Sequence, residues 1–202
     1  MTGRRGPLGG EQRECPGPAR YSHAQELAHN LPYLAMVVLG SALAHRAFGG
    51  GTAGAIAAAA YAGYSVLATL WFIVLVCPHC AYHGTRDCPC GYGQIAAALR
   101  ARSDRIDFAR AFKLNLPVMI VMWLVPPALG GWAVYTGLAA AGFLPAAADW
   151  VTVGLVAAFA VDAFVVLPWV SRLHGCAECP QRDTCPWMGE KGKCGATGEA
   201  RR

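Results

Sequence analysis

Eight of the nine cysteines in this 202-residue chain fall in two short runs. The first run, 77–93, carries Cys77, Cys80, Cys88 and Cys90 at C-x2-C-x7-C-x-C spacing, with His79 and His83 among them. The second carries Cys176, Cys179, Cys185 and Cys194 at C-x2-C-x5-C-x8-C, just after His174. Thiolates so placed are metal ligands. Two C-x2-C pairs brought together supply the four sulfurs of one zinc site, and eight cysteines supply two such sites. Iron–sulfur clusters take the same soft ligands. Cys-Pro steps at Cys77, Cys88, Cys179 and Cys185 and the neighbouring glycines suit a cluster. The C-x2-C-x2-C-x3-C ferredoxin run, however, is absent. Zinc needs nothing beyond the spacing present, and its ~10–16 kcal/mol of binding free energy would order a glycine-rich loop. The expected cofactor is therefore zinc or an iron–sulfur cluster on the eight loop cysteines. His79, His83 and His174 are alternative ligands or supporting groups. Cys15, alone in the N-terminal stretch, is expected to take no part.

A second chemistry competes with metal binding. Cys77-Pro78-His79-Cys80 resembles the active-site tetrapeptide of thioredoxin-like disulfide oxidoreductases. Together with the four apolar spans described next, it is similar to four-helix, quinone-linked thiol enzymes such as the vitamin K epoxide reductase family. The resemblance covers four residues and a helix count. It implies thiol–disulfide exchange through Cys77 and Cys80. The tetrapeptide follows an apolar helix instead of opening one. A helix C-terminus is the negative end of the dipole, whereas reactive thiolates favour N-termini.

The elements that must position these residues are apolar helices. The chain is 55% hydrophobic and only 14% charged, against about a quarter charged in soluble domains. Its apolar residues are bunched at about 31–48, 53–76, 114–136 and 150–170, each close to the ~20 residues that cross a bilayer as a helix. Stretches such as 55–60 and 118–125 are apolar on every side, which excludes an amphipathic soluble bundle. The sequence thus predicts an all-α membrane protein: a four-transmembrane-helix bundle with a surface amphipathic helix and two cytoplasmic Cys-rich loops. Residues 1–30 form a cytoplasmic tail without the apolar core of a cleavable signal peptide. Residues 31–170 form the membrane domain, including the 77–113 loop and surface helix, and 171–202 form a cytoplasmic Cys-rich segment.

An up-down path puts sixteen of the seventeen Lys and Arg residues on one side, leaving Arg46 at the other. Basic residues near span ends stay cytoplasmic. The predicted location is therefore the cytoplasmic (inner) membrane, multi-pass, with both termini inside. All nine cysteines then face a reducing compartment, where clustered thiols serve as ligands or catalysts and not as a disulfide framework. The formal charge of +5 matches an anionic leaflet and calls for no nucleic acid. The basic stretch 94–113 reads as the surface helix.

Within the spans, Gly54, Ala58 and Ala62 predict a close-packed, central second helix, and Pro126-Pro127 predicts a kink in the third. Asp162 is the acidic residue deep in a span, where its charge costs ~2.5–3.5 kcal/mol even on a lenient scale. It is expected to face other helices and to hydrogen-bond Ser65 or Thr69, as a proton or ion relay, a contact for a quinone-like ligand, or helix glue. The functional expectation is an integral membrane protein with one or two cytoplasmic Cys-ligated metal centres, partnered by the lipid bilayer and by a membrane or cytoplasmic redox protein. The alternatives are the thiol oxidoreductase and a small transporter or structural subunit with a zinc-stabilised cap. Neither a substrate nor an oligomeric state follows from the residues.

Overall fold

The computed structural model describes residues 21–103, 106–144, 149–172, 179, 181 and 185. Cys15, His174, Cys176 and Cys194 lie outside the described residues. The described chain is all-helical, with four long helices apolar enough to cross a membrane.

Helix α1 (His23–Ala47) begins before the apolar run because Ser22 and Gln25 form a capping box. The Gln25 N–H donates to the Ser22 hydroxyl at 3.3 Å, and the Ser22 N–H donates to Gln25 Oε1 at 2.9 Å. Two otherwise unpaired donors are satisfied at once. Gly49, Gly50 and Gly51, all at positive φ, reverse the chain into α2 (Gly51–Leu75). Such backbone is nearly free of strain only for glycine. Pro78 ends α2 in a short 3-10 turn, Cys77–His79.

The predicted surface helix is shorter than expected. Helix α3 spans only Tyr92–Leu99, and Arg100 is already extended at φ −152°, ψ 140°. The connector folds back on the cysteine loop, with the Ser103 N–H donating to the Pro78 carbonyl at 3.1 Å. Asp107 then caps a new helix, accepting from the Arg110 N–H at 2.7 Å. Arg110 and Lys113 therefore sit in the first turns of α4 (Phe108–Ala140), not on a surface helix. Helix α4 continues through Pro117, Pro126 and Pro127 as one element. The fourth span opens with α5 (Trp150–Val161) and passes through a π-helical turn, Asp162–Val166, into a last α-helical turn, Leu167–Val170. The wider turn has a local cause: Leu167 donates back to the Asp162 carbonyl, and Pro168 beside it has no N–H to continue the α ladder.

The helix at the centre is α1, not the expected α2. It packs on α2, α4, α5 and the π turn, whereas α2 rests chiefly on α1 and α4. The core joins Met36, Leu43 and Ala44 of α1 to Tyr61, Met122, Phe159 and Ala163. Gly40 is where α1 admits the Tyr61 ring, since a Cβ there would lie 2.3 Å from a ring carbon. The Tyr61 and Tyr64 hydroxyls donate to the Met122 and Val118 carbonyls at 3.1 and 2.8 Å, binding α2 to α4. No more than 28% of any span's most apolar window is buried within the chain, and Trp71, Trp132, Trp150 and Trp169 point outward. Apolar surface on that scale requires lipid around it. The chain is a multi-pass membrane protein in a bilayer.

A candidate thiol site at one end of the bundle

The site begins where α2 ends. After Pro78 the chain winds through tight turns: Cys80 N–H to the Cys77 carbonyl at 3.0 Å, His83 N–H to Cys80 at 3.1 Å, and Thr85 N–H to Tyr82 at 3.1 Å. The first turn of α3 crosses the loop at Gly93, whose carbonyl accepts from the Gly84 N–H at 3.0 Å. A Cβ at Gly93 would stand 2.4 Å from the Tyr82 carbonyl oxygen and 2.8 Å from that of Thr85, so only glycine allows this crossing. The crossing also sets the Cys88 side chain against Gly93, its Cβ 3.2 Å from a Cβ built there.

Two side chains tie this loop to the rest of the molecule. Asn30, on the second turn of α1, donates to the Cys90 carbonyl at 3.2 Å and to its own helix at Glu26, 2.8 Å away. Its Oδ1 accepts from the Tyr92 hydroxyl at 2.9 Å. From the C-terminal segment, Gln181 Oε1 accepts from the Ala81 N–H at 2.9 Å, and its Nε2 donates to the His79 carbonyl at 3.3 Å. The amide straddles Cys80 and pins the stretch containing Cys179 and Cys185 onto the first loop. Neither Asn30 nor Gln181 carries a sequence signal, because their partners lie 60 to 102 positions away.

None of the six described cysteines is in a disulfide, and all six are partly buried. Burial pushes the Cys80 thiol up to about 11; a backbone hydrogen bond at Tyr82 pulls the other way, and Cys179, Cys88 and Cys185 add to the rise. The Cys179 thiol is raised for the same first reason, burial. Burial also lifts the Tyr92 hydroxyl above its usual range, and the Cys90 thiol adds to the rise. His79 Nδ1 is buried with no hydrogen-bond partner, whereas His83 Nε2 lies 3.0 Å from the Arg100 carbonyl. Among the described residues, no three His, Cys, Asp or Glu side chains are gathered closely enough to hold one metal ion.

The chain matches no known protein-family model, and comparison with curated proteins and with solved structures gave no match.

Asp162 departs from expectation. Thr69 Oγ1 is 2.6 Å from the Tyr33 hydroxyl and donates to the Ser65 carbonyl at 2.9 Å, while Ser65 Oγ donates to Tyr61. Both expected partners are thus engaged, Thr69 with Tyr33 of α1 and the Ser65 hydroxyl with the Tyr61 carbonyl inside α2, and Asp162 Oδ2 is buried without a hydrogen bond among the described residues. The reason is the packing order: α1 stands between α2 and the fourth span. At the opposite end of the bundle, Arg46 Nη2 meets Asp149 Oδ2 at 2.7 Å, and Arg46 Nε donates to Thr152 Oγ1 at 2.8 Å. This clamp was foreshadowed only by Asp149 standing three residues before Thr152 at a helix start.

Proposed function

We propose that the chain is a multi-pass protein of the cytoplasmic membrane whose cysteine face holds a thiolate-ligated metal centre, zinc or iron–sulfur, serving a membrane or cytoplasmic partner complex. The single observation that carries this reading is the Gln181 clasp, which joins two cysteine segments about a hundred residues apart across Cys80. The donor types suit such a centre, although among the described residues no three of them are gathered closely enough to hold one ion. They are soft sulfurs in a partly buried loop, and beside them the His79 Nδ1 has no hydrogen-bond partner among the described residues. Metal binding removes the protons from coordinating thiols and links binding to the order of the loop, which compensates for burying several thiols together. When bound, the metal would hold the two segments shut or carry single electrons. Cys77, Cys80, Cys88, Cys90, Cys179 and Cys185 are the described thiols from which its ligands would be drawn.

Thiol–disulfide exchange through Cys77 and Cys80 is the weaker reading. An attacking cysteine needs a depressed pKa, and burial moves Cys80 in the opposite direction. Anaerobic purification in detergent, followed by metal analysis and titration of thiols, separates the two. Zinc or iron in fixed proportion to protein supports the metal centre. Absence of both, with thiols that react freely, rejects it.

A further inference from the structure

Asp162, the acidic residue deep in the fourth span, takes no part in the cysteine face. The Arg46 clamp holds Asp149 and Thr152 against the end of α1. Counting along the helix from Thr152 at ~1.5 Å per residue places Asp162 ~15 Å deeper, about half of the ~30 Å hydrocarbon thickness. Oδ2 is sealed inside with no hydrogen bond among the described residues, while the residue as a whole is only half-buried and reaches the helix surface. Val161 and Val165 beside it point outward, so the approach to the carboxyl is from the lipid.

The surrounding elements supply no partner. The π turn packs chiefly on α1, on α5 and on the last turn of its own span. The bases of α1, His29, His45 and Arg46, lie in its first or last two turns, and Arg46 is taken by Asp149. Neither α5 nor the last turn carries a base. The hydroxyls of Tyr33, Thr69 and Ser65 bond one another or helix carbonyls. A carboxylate left unpaired in such surroundings is too costly to persist, and what completes it is a cationic donor. The backbone adds to the surplus of acceptors, because in the π register the Ala163 carbonyl looks five residues on to Pro168, which has no N–H. Single π turns inside α-helices recur at functional sites, and an ionisable group within the membrane marks a ligand or ion path. A metal ion shedding its water would need several oxygens, which one carboxyl beside two valines does not provide. An ammonium group on an apolar body needs less. It brings charge and an N–H donor to the carboxyl and leaves its tail in hydrocarbon. We propose that Asp162 binds the ammonium head of a lipid-soluble amine that enters sideways from the bilayer. This site is separate from the cysteine face and independent of the metal reading.

The test places the full chain in phosphatidylcholine nanodiscs and titrates N,N-dimethyldodecylamine by calorimetry at neutral pH. Empty nanodiscs give the baseline for partitioning, and dodecanol is the uncharged control. The wild-type protein should show saturable amine binding above that baseline, and dodecanol should show none. Asp162→Asn keeps the shape but not the charge and should weaken binding at least about tenfold, the weight of one hydrogen bond to a charged group. Asp162→Glu should retain binding within a few-fold. A second arm needs no variant. Dicyclohexylcarbodiimide is an apolar reagent that modifies carboxyls from the lipid, and the amine should slow its reaction at Asp162 several-fold, followed by mass spectrometry, where dodecanol does not. Equal amine binding by Asp162→Asn with helicity intact by circular dichroism, or equal binding of dodecanol, would overturn the proposal. Carbodiimide modification that the amine leaves unchanged would also overturn it, and would mark Asp162 as a carboxyl that holds a proton only.

Discussion

At the scale of single residues, the loop depends on groups that lack cysteine chemistry. Gly93 is the sharpest case, because a methyl group there meets two backbone oxygens at 2.4 and 2.8 Å, neither of which can swing aside like a side chain. Gly93→Ala is expected to cost about 1–3 kcal/mol, the usual range for overpacking a tight site. Gly63→Ala, with nothing within 4 Å, should be neutral or slightly stabilising through helix propensity. Thermal unfolding of the two detergent-solubilised variants side by side checks this; equal melting would show that the crossing tolerates a side chain. Asn30→Ala removes the acceptor of the Tyr92 hydroxyl and one donor to the Cys90 carbonyl, at about 1–3 kcal/mol for the unsatisfied part-buried hydroxyl. Because that loss is local, Cys88 and Cys90 should be alkylated several-fold faster in metal-free protein, with the overall helix content unchanged. An unaltered alkylation rate would remove Asn30 from the site. The cysteines themselves were legible from spacing alone. The residues that hold them were not, because Asn30 and Gln181 act across 60 to 102 positions and an amide in a polar stretch has no distinguishing pattern.

At the scale of elements, the four spans were legible because hydrocarbon imposes a length and composition that few other sequences meet. Their ends were less so. Ser22 with Gln25 starts α1 eight residues before its apolar run near 31, and Asp107 restarts the helix after the loop. Both are local capping events that override hydropathy. The order of packing was not legible, since small residues mark close contacts without naming the neighbour. Asp162 shows this, with α1 placed between it and the hydroxyls of α2. The clamp at the start of α5 yields a pH prediction. The Thr152 hydroxyl and then Arg46 hold the Asp149 carboxyl down to about 2, from an ordinary 3.8. Its folded pKa is depressed, so its contribution is complete above about pH 4 and is lost as pH falls towards 2. Both side chains are substantially exposed, at 38% and 46%, so the ion-pair part is small in solvent. Asp149→Asn should keep the N-cap but lose the extra acid sensitivity between pH 4 and 2. Asp149→Ala should also cost about 1 kcal/mol at neutral pH from the missing cap. Melting curves of the three proteins at pH 7, 4 and 2.5 check the pattern; identical acid profiles would mean that the clamp contributes nothing to stability.

At the scale of the whole molecule, the two ends of the bundle differ in chemistry, and that difference decides how it should sit in the membrane. One end gathers the first-loop cysteines, Cys179, Cys185 and the Gln181 clasp. The other has the Gly49–Gly51 turn, the Arg46–Asp149 clamp and an apolar turn at Phe143. Sixteen of seventeen basic residues belong to the first end by chain order, and basic flanks stay cytoplasmic. A thiol-ligated centre also requires a compartment that keeps its sulfurs reduced. The charge bias and the proposed metal centre call for the same orientation, which is itself a proposal that labelling tests. The expected labelling follows directly. In intact cells a membrane-impermeant maleimide should leave the native thiols unmodified, and in inverted vesicles stripped of metal by chelation it should modify them. A single cysteine placed at Phe143, which is exposed at the far end, should label in intact cells with the native thiols serving as the silent background. The reversed pattern would turn the molecule over and put its thiols in an oxidising compartment. The metal centre would then lose its chemical rationale, and disulfide exchange through Cys77 and Cys80 would become the better account of the same loop.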